Sequence, residues 1–242
     1  MVKTIEVGQE SFQELNRTIR ESTDNDITLC GVNGQRYIGC GLKDKHIIVN
    51  GVPGNALGAL MDGSVLEVRN NAQDATGDTM NDGKIFIDGN CGDAVGYAMR
   101  GGAIYIKGSA GYRAGIHMKA YKEKQPLLVI GERAGSFLGE YQAGGTIIVL
   151  GINQGGRPPV GYFCGTGMHG GVMYLCCDTL PVDLPAQVAA REAEEADKEK
   201  ISLAIEPFCT AFSLDKEVLL QQHFFVLSPN SSTPYKQLYT YV

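Results

Sequence analysis

Residues 77–108 read Gly77-Asp-Thr-Met80-Asn-Asp-Gly-Lys-Ile85-Phe-Ile87-Asp-Gly89-Asn-Cys-Gly-Asp93-Ala-Val-Gly96-Tyr-Ala-Met99-Arg-Gly-Gly-Ala-Ile104-Tyr-Ile106-Lys-Gly108. One pattern occurs twice in this stretch: Gly77, Met80, Ile85, Ile87 and Gly89 return as Gly96, Met99, Ile104, Ile106 and Gly108. The spacing is about nineteen residues, and it runs outward in both directions. Gly39, Gly58, Gly77, Gly96 and Gly115 keep it, and Gly139 and Gly165 follow after two stretched intervals.

Further columns share this phase. Three residues past the glycine stand Met61, Met80, Met99, Met118 and Met168, with Leu42 in the first copy and Gln142 in the sixth. Eight past it stand Ile47, Leu66, Ile85, Ile104, Leu127, Ile147 and Met173, and ten past it Val49, Val68, Ile87, Ile106, Val129, Val149 and Leu175, once short insertions are allowed. Two apolar columns separated by one residue have strand periodicity. Gly51, Gly89, Gly108, Gly131 and Gly151 then close most strands, with Asn70 and Cys177 in the other copies, and this column reads as a corner with positive φ.

A helical repeat would need a 3.6-residue period, which these windows lack. One strand and two bends per unit fit a coil of a parallel β-solenoid, in which each column becomes a ladder up the stack. The expected fold is therefore all-β: a single-stranded, right-handed parallel β-helix of about seven coils, the hand following the preference of parallel crossovers. Short α/β caps are expected at both ends. The expected division is residues 1–34 as an N-terminal helix and strand cap, 35–180 as the β-helix, and 181–242 as a C-terminal helix with short strands.

In the flanks, Ser11 and Glu14 have capping-box spacing, and Phe12, Leu15 and Ile19 share a helical face, so a helix is predicted from Ser11 to about Glu21, leading into a strand over Ile27–Val32. After Pro181 and Pro185 a charged, Ala-rich stretch, Leu184–Ile205, reads as a solvated helix. Phe224–Leu227 and Gln237–Tyr241 read as short strands.

Composition narrows the function classes. The net charge is −6, and nucleic-acid binding would call for clustered Lys and Arg. No apolar run approaches the length of a membrane span, and the N-terminus has no signal-peptide pattern. Seven cysteines, an odd number, do not form a disulfide framework, so a reducing, cytoplasmic compartment is expected.

Residues able to carry chemistry are scattered. His46, His117, His169 and His223 have no metal-type spacing, there is no C-x-x-C, and Cys40, Cys164 and Cys176 read as buried hydrophobes. Gly165-Thr-Gly167-Met-His-Gly170 matches a dinucleotide-loop pattern but lacks a surrounding βαβ unit. Asp74 and Asp93 share a phase, with Asp78 nearby. Stacked carboxylates could serve a carbohydrate-active or metal-binding β-helix, but Asn, Asp and Ser in this column more often bond to backbone at a corner. Two insertions break the period. One, Lys119–Pro126, carries Lys119, Tyr121, Lys122 and Lys124; the other, Asn153–Val160, carries Arg157 at its tip. These five residues are the candidate partner-binding set.

The segment Gly89–Gly96, continued by Tyr97-Ala-Met-Arg-Gly-Gly102 and Ala103–Gly108, resembles the signature of the GXGXG repeat family. That family includes the C-terminal β-helix domain of the glutamate synthase large subunit, and one of the subunits of formylmethanofuran dehydrogenase is similar. The likeness extends over Gly51–Gly171, and the ending around Pro234–Tyr239 resembles the stand-alone form of the glutamate synthase domain. The resemblance implies a non-catalytic scaffold, without catalytic activity alone and with no cofactor of its own, joining an amidotransferase to a flavin-binding synthase. In that family the nucleophilic cysteine, the flavin site and the cluster cysteines lie in other domains, so no catalytic residue is carried over to this chain. A self-associating solenoid is the alternative.

Overall fold

The computed structural model describes residues 2–230. The strand expected over Gln237–Tyr241 and the Pro234–Tyr239 stretch lie outside them. The elements are β1 (Lys3–Glu6), α1 (Phe12–Glu21), β2 (Asp26–Asn33), β3 (His46–Val52), β4 (Asp62–Val68), β5 (Asp82–Ile87), β6 (Ala103–Ile106), β7 (Leu127–Ile130), β8 (Ala143–Val149), β9 (Gly170–Cys176), β10 (Val188–Glu192), α2 (Glu195–Phe212), α3 (Lys216–Leu220) and β11 (Phe224–Pro229). They form one eleven-stranded sheet in the order β1 to β9, then β11 and β10. All pairs from β1 to β9 are parallel, while β11 runs antiparallel to both β9 and β10. The chain is a parallel β-solenoid of about seven turns.

The predicted columns become ladders. Ile47, Leu66, Ile85 and Ile104 stand opposite one another in successive strands, as do Val49, Val68, Ile87 and Ile106, and all are buried in the interior. The rungs continue backward through Ile27 and Leu29 of β2. Met61, Met80, Met99, Met118 and Met168 are fully buried beside them. A second, shorter ladder closes another side: Ala72, Cys91, Ala110, Ala134 and Val160 bridge in parallel, and their small side chains suit a narrow interior. Burial pushes the Cys91 thiol up to about 12, so it behaves as a hydrophobe.

One coil departs from the expected phase. Ile104 pairs with Leu128 and Ile106 with Ile130, so these two, and not Leu127 and Val129, point inward. The insertion before β7 leaves the phase open by one residue, and in a strand a one-residue shift exchanges the two faces. Val129 is buried on the outer face, where Leu127 packs beside it.

The repeat glycines have φ between 61° and 79°, and at Gly77 a Cβ would lie 2.3 Å from Ile104 Cδ1 of the following coil. Of the closing glycines, two meet the expectation of positive φ and Gly89, Gly108 and Gly131 do not. Gly51 and Gly151 have positive φ, whereas Gly89 and Gly108 are required for close approach: a Cβ there would lie 2.4 and 2.3 Å from the side-chain oxygens of Asn71 and Asn90.

At the N-terminal end, Ser11 caps α1 by accepting from the Glu14 amide, and Leu15 and Ile19 plug the open coil. At the other end the expected Leu184–Ile205 helix is replaced by β10 followed by α2. Five residue pairs tie β10 to β11 and override the helical propensity of its alanines. The helix starts where the Glu194 amide donates to Asp197 Oδ2 at 3.1 Å. Nor is it solvated all round. Ile201, Ile205, Phe208 and Cys209 pack on Tyr105, Val129, Ile148 and Tyr174, forming a second core on the outer face of the sheet.

Candidate interaction surface

Two residues before and two after each repeat glycine, the backbone is again left-handed: Ala75 and Thr79, Ala94 and Ala98, Arg113 and His117, Phe137 and Tyr141. Alternating backbone hands point successive amides up and down the stack. The Gly77 amide donates to Leu57 O of the coil before (2.7 Å), while the Ala75 and Thr79 amides donate to Asp93 O (2.8 Å) and Tyr97 O (2.7 Å) of the coil after. The bend is therefore a hydrogen-bonded ladder of its own. The residue just before each repeat glycine points into the core, as Ile38, Leu57, Val95 and Leu138 do, while Tyr37, Tyr112, Tyr162 and Phe163, two or three before it, are exposed. Tyr112, Phe137 and Phe163 form one row with ring centroids 5.4 and 4.9 Å apart, with the Arg113 guanidinium over Tyr112 and Phe137. His117 stacks on Tyr141 in a second row. Tyr162 and Phe163 at the end of the stack are 68% and 50% exposed. The sequence reading missed this face, although aromatics two or three residues before the glycine, Tyr112, Phe137, Tyr162 and Phe163, were a visible signal.

The aspartate column has a structural task. Asp74 Oδ1 accepts from the Asp93 amide (2.9 Å), and Asp93 Oδ1 accepts from the Tyr112 amide (2.8 Å), each carboxylate bonding one coil to the next. Asn71 and Asn90 do the same for the amides of Asn90 and Ser109. Asp78 Oδ1 accepts from the Thr79 hydroxyl at 2.7 Å. These are turn and ladder contacts of the kind short polar side chains make at corners.

The first insertion is a tight hairpin closed between Tyr121 and Lys124. It folds back over earlier coils. Lys124 Nζ lies 2.9 Å from Asp82 and 3.3 Å from Asp62, which Lys43 also pairs at 2.8 Å. Lys124 holds the Asp82 carboxyl below the usual carboxylate range, and Lys43 does so first for Asp62. Lys124 is thus engaged within the chain, while Lys119, Tyr121 and Lys122 are exposed. In the second insertion Arg157 Nε donates to Gln154 O at 3.1 Å, and Gly156 O accepts from the Asp178 amide.

His117 and His169 sit on the coil surface, His169 Nδ1 being 3.0 Å from Gly167 O. Among the described residues no group of three His, Cys, Asp or Glu is placed to hold a metal ion. Cys164 is buried as read, Cys176 is partly buried under the second core, and Cys40 is only half-covered. Gln142 takes a methionine position in the interior. Its Nε2 donates to the Gly144 and Gly145 carbonyls (3.2 and 3.1 Å), and its Oε1 has no hydrogen-bond partner among the described residues. No described helix is long and apolar enough to cross a membrane.

The outer layer carries two grooves. One of about 370 Å³ lies between the second half of α2 and the outer face of β4 and β5, lined by Phe86 and by Arg69 just after β4. Another, of about 610 Å³, lies between the first half of α2 and α3, lined by Glu195, Glu199, Leu203, Glu217 and Leu220. Arg191 donates to Asp197 Oδ2 at 2.6 Å beneath the start of α2 and holds that buried carboxyl below its usual range.

Comparison with known proteins places this geometry. The chain is 49% identical to an uncharacterized protein of Methanocaldococcus jannaschii, covering 95% of this chain and 93% of that one. Its fold is similar to a chain in the formyltransferase/hydrolase complex of Methylorubrum extorquens, solved with methylofuran, with a TM-score of 0.64, 19% identity, and 91% and 88% of the two chains covered. The family model for the GXGXG motif matches residues 8–229, the span of coils, caps and outer helix described above, and this chain belongs to that family.

Proposed function

We propose that this protein is a non-catalytic scaffold subunit of a cytoplasmic, glutamate-synthase-type complex, holding an amidotransferase and a flavin-binding synthase together. The observation that carries this reading is the use of the polar columns. Asp74, Asp93, Asn71 and Asn90 bond coil to coil, which suits a rigid spacer, while aromatic rows and helix grooves face outward, where subunits meet. Lys119, Tyr121, Lys122 and Arg157 belong to the proposed contact surface, with Lys124 as the brace that sets the hairpin. Membership of the GXGXG motif family supports a part in a multi-subunit enzyme. A second reading, a subunit of a one-carbon formyl-transferring complex, is favoured by the fold likeness to the Methylorubrum complex.

Affinity purification of the tagged chain from its own cells, with subunit identification by mass spectrometry, separates the two. Recovery with an amidotransferase and a flavoprotein that together make glutamate from glutamine and 2-oxoglutarate is expected. Recovery with formyl-transferring subunits would favour the second reading, and recovery of the chain alone would overturn both.

A further inference from the structure

The outer helix α2 has apolar residues on two sides. Ile201, Ile205 and Phe208 face the sheet, yet Leu203 is 79% exposed on the opposite side, at the rim of the 610 Å³ groove that α2 makes with α3. Around Leu203 and Leu220 the groove carries Glu195, Glu199 and Glu217 against one cation, Lys198. None of these three glutamates has an ion pair among the described residues, whereas nearby Glu206 is paired with Lys216. Three carboxylates and two apolar side chains, Leu203 and Leu220, thus share one groove.

We propose that the α2–α3 groove docks a basic amphipathic helix of a partner subunit, one that sets an apolar side chain on Leu203 and Leu220 and places Lys or Arg against Glu195, Glu199 and Glu217. An amphipathic helix laid in a groove is a recurrent recognition mode, and opposed charges fix its register and speed its arrival. A second copy of this chain is a poor occupant. Leu15 and Ile19 of α1, the described helix with arginines at 17 and 20, are buried in its own solenoid. The proposal rests on the reading of the protein as a complex subunit.

The test uses the full chain and two synthetic sixteen-residue helical peptides, one with a leucine face flanked by lysines and its twin with glutamates in their place. Fluorescence anisotropy should show binding of the lysine peptide that weakens at least tenfold in the Glu195→Lys, Glu199→Lys double variant and in Leu203→Asp, but not in Glu123→Lys on the distant hairpin. The double variant should gain affinity for the glutamate peptide, and circular dichroism should show both variants folded. Equal binding of the two peptides, or no loss in either variant, would overturn the proposal. In purified complexes, the double variant should shed at least one subunit that the natural chain retains. If it retains all of them, the docking proposal falls while the subunit reading stands; if the natural chain brings down no subunit, the subunit reading falls. A dimer of the chain that the double variant dissolves would show the groove filled by a second copy, and would also overturn it.

Discussion

The interior of the coil stack and the layer beneath α2 are two hydrophobic cores separated by one residue of sequence. On β6, Ile104 and Ile106 face the interior and Tyr105 between them faces Ile201 and Phe208; on β7 the same division puts Leu128 and Ile130 inside and Val129 outside. The interior repeats and the outer layer does not. Running along the residue between the columns, the side chains are Ile48, Glu67, Phe86, Tyr105, Val129, Ile148 and Tyr174, and those from Phe86 onward pack in the layer that α2 covers. A repeat therefore builds the solenoid, and a departure from repetition on the other face records where something lies on top.

The outer layer can be broken while the coils keep their own core. Phe208 is fully buried, and its ring approaches within 3.1 Å of where a Cβ would stand on Gly131. Phe208→Ala is expected to cost about 3–5 kcal/mol, read from chemical denaturation, with hydrogen exchange rising first in α2 and only later in β5 to β8.

The phase of β7 is tested by two adjacent leucines. Leu128→Ala opens a cavity in the interior and should cost about 2–5 kcal/mol, whereas Leu127→Ala, at a half-buried rim of the outer layer, should cost about 1 kcal/mol. Equal costs in urea titrations would contradict a register that turns Leu128 inward.

Within the bends, Gly77→Ala should lose about 1–3 kcal/mol, combining a left-handed backbone with a methyl 2.3 Å from Ile104 Cδ1. Ala75 already holds the same backbone hand nearby without a clash in the core, so Ala75→Gly should change the melting temperature little.

The smallest effect concerns acid. Arg191 holds Asp197 below its ordinary value of 3.8, so the folded state binds the proton less readily than the unfolded chain. The stabilisation is present above about pH 4 and is lost as pH falls through the depressed value. The urea midpoint should fall on acidification through this window, and Asp197→Asn should flatten that limb.

Much of this molecule was legible because its signals are local and repeated. Each methionine and isoleucine of a column reinforces the others, and a stacked coil leaves them one common direction. The aspartates were legible as corner residues for the same reason. The α2 layer was harder to read. Its charges suggested a solvated helix, and the five-residue β10 was hidden in an Ala-rich stretch whose pairing partner stands more than thirty residues later. Lys124 carried the appearance of a partner contact, but its carboxylates, Asp62 and Asp82, lie two to three coils away in sequence.

By itself, the sequence determined that this chain is a stack of coils, about how many, and which side chains fill the bore in every coil but the one after the hairpin, since a nineteen-residue period with strand alternation has few other physical solutions. Only the tertiary structure decided the phase of the coil after the hairpin, the helix that covers the outer face, and the groove that helix leaves open. These depend on pairings between residues far apart in the chain, where a shift of one position exchanges inside for outside and leaves no trace in the local pattern.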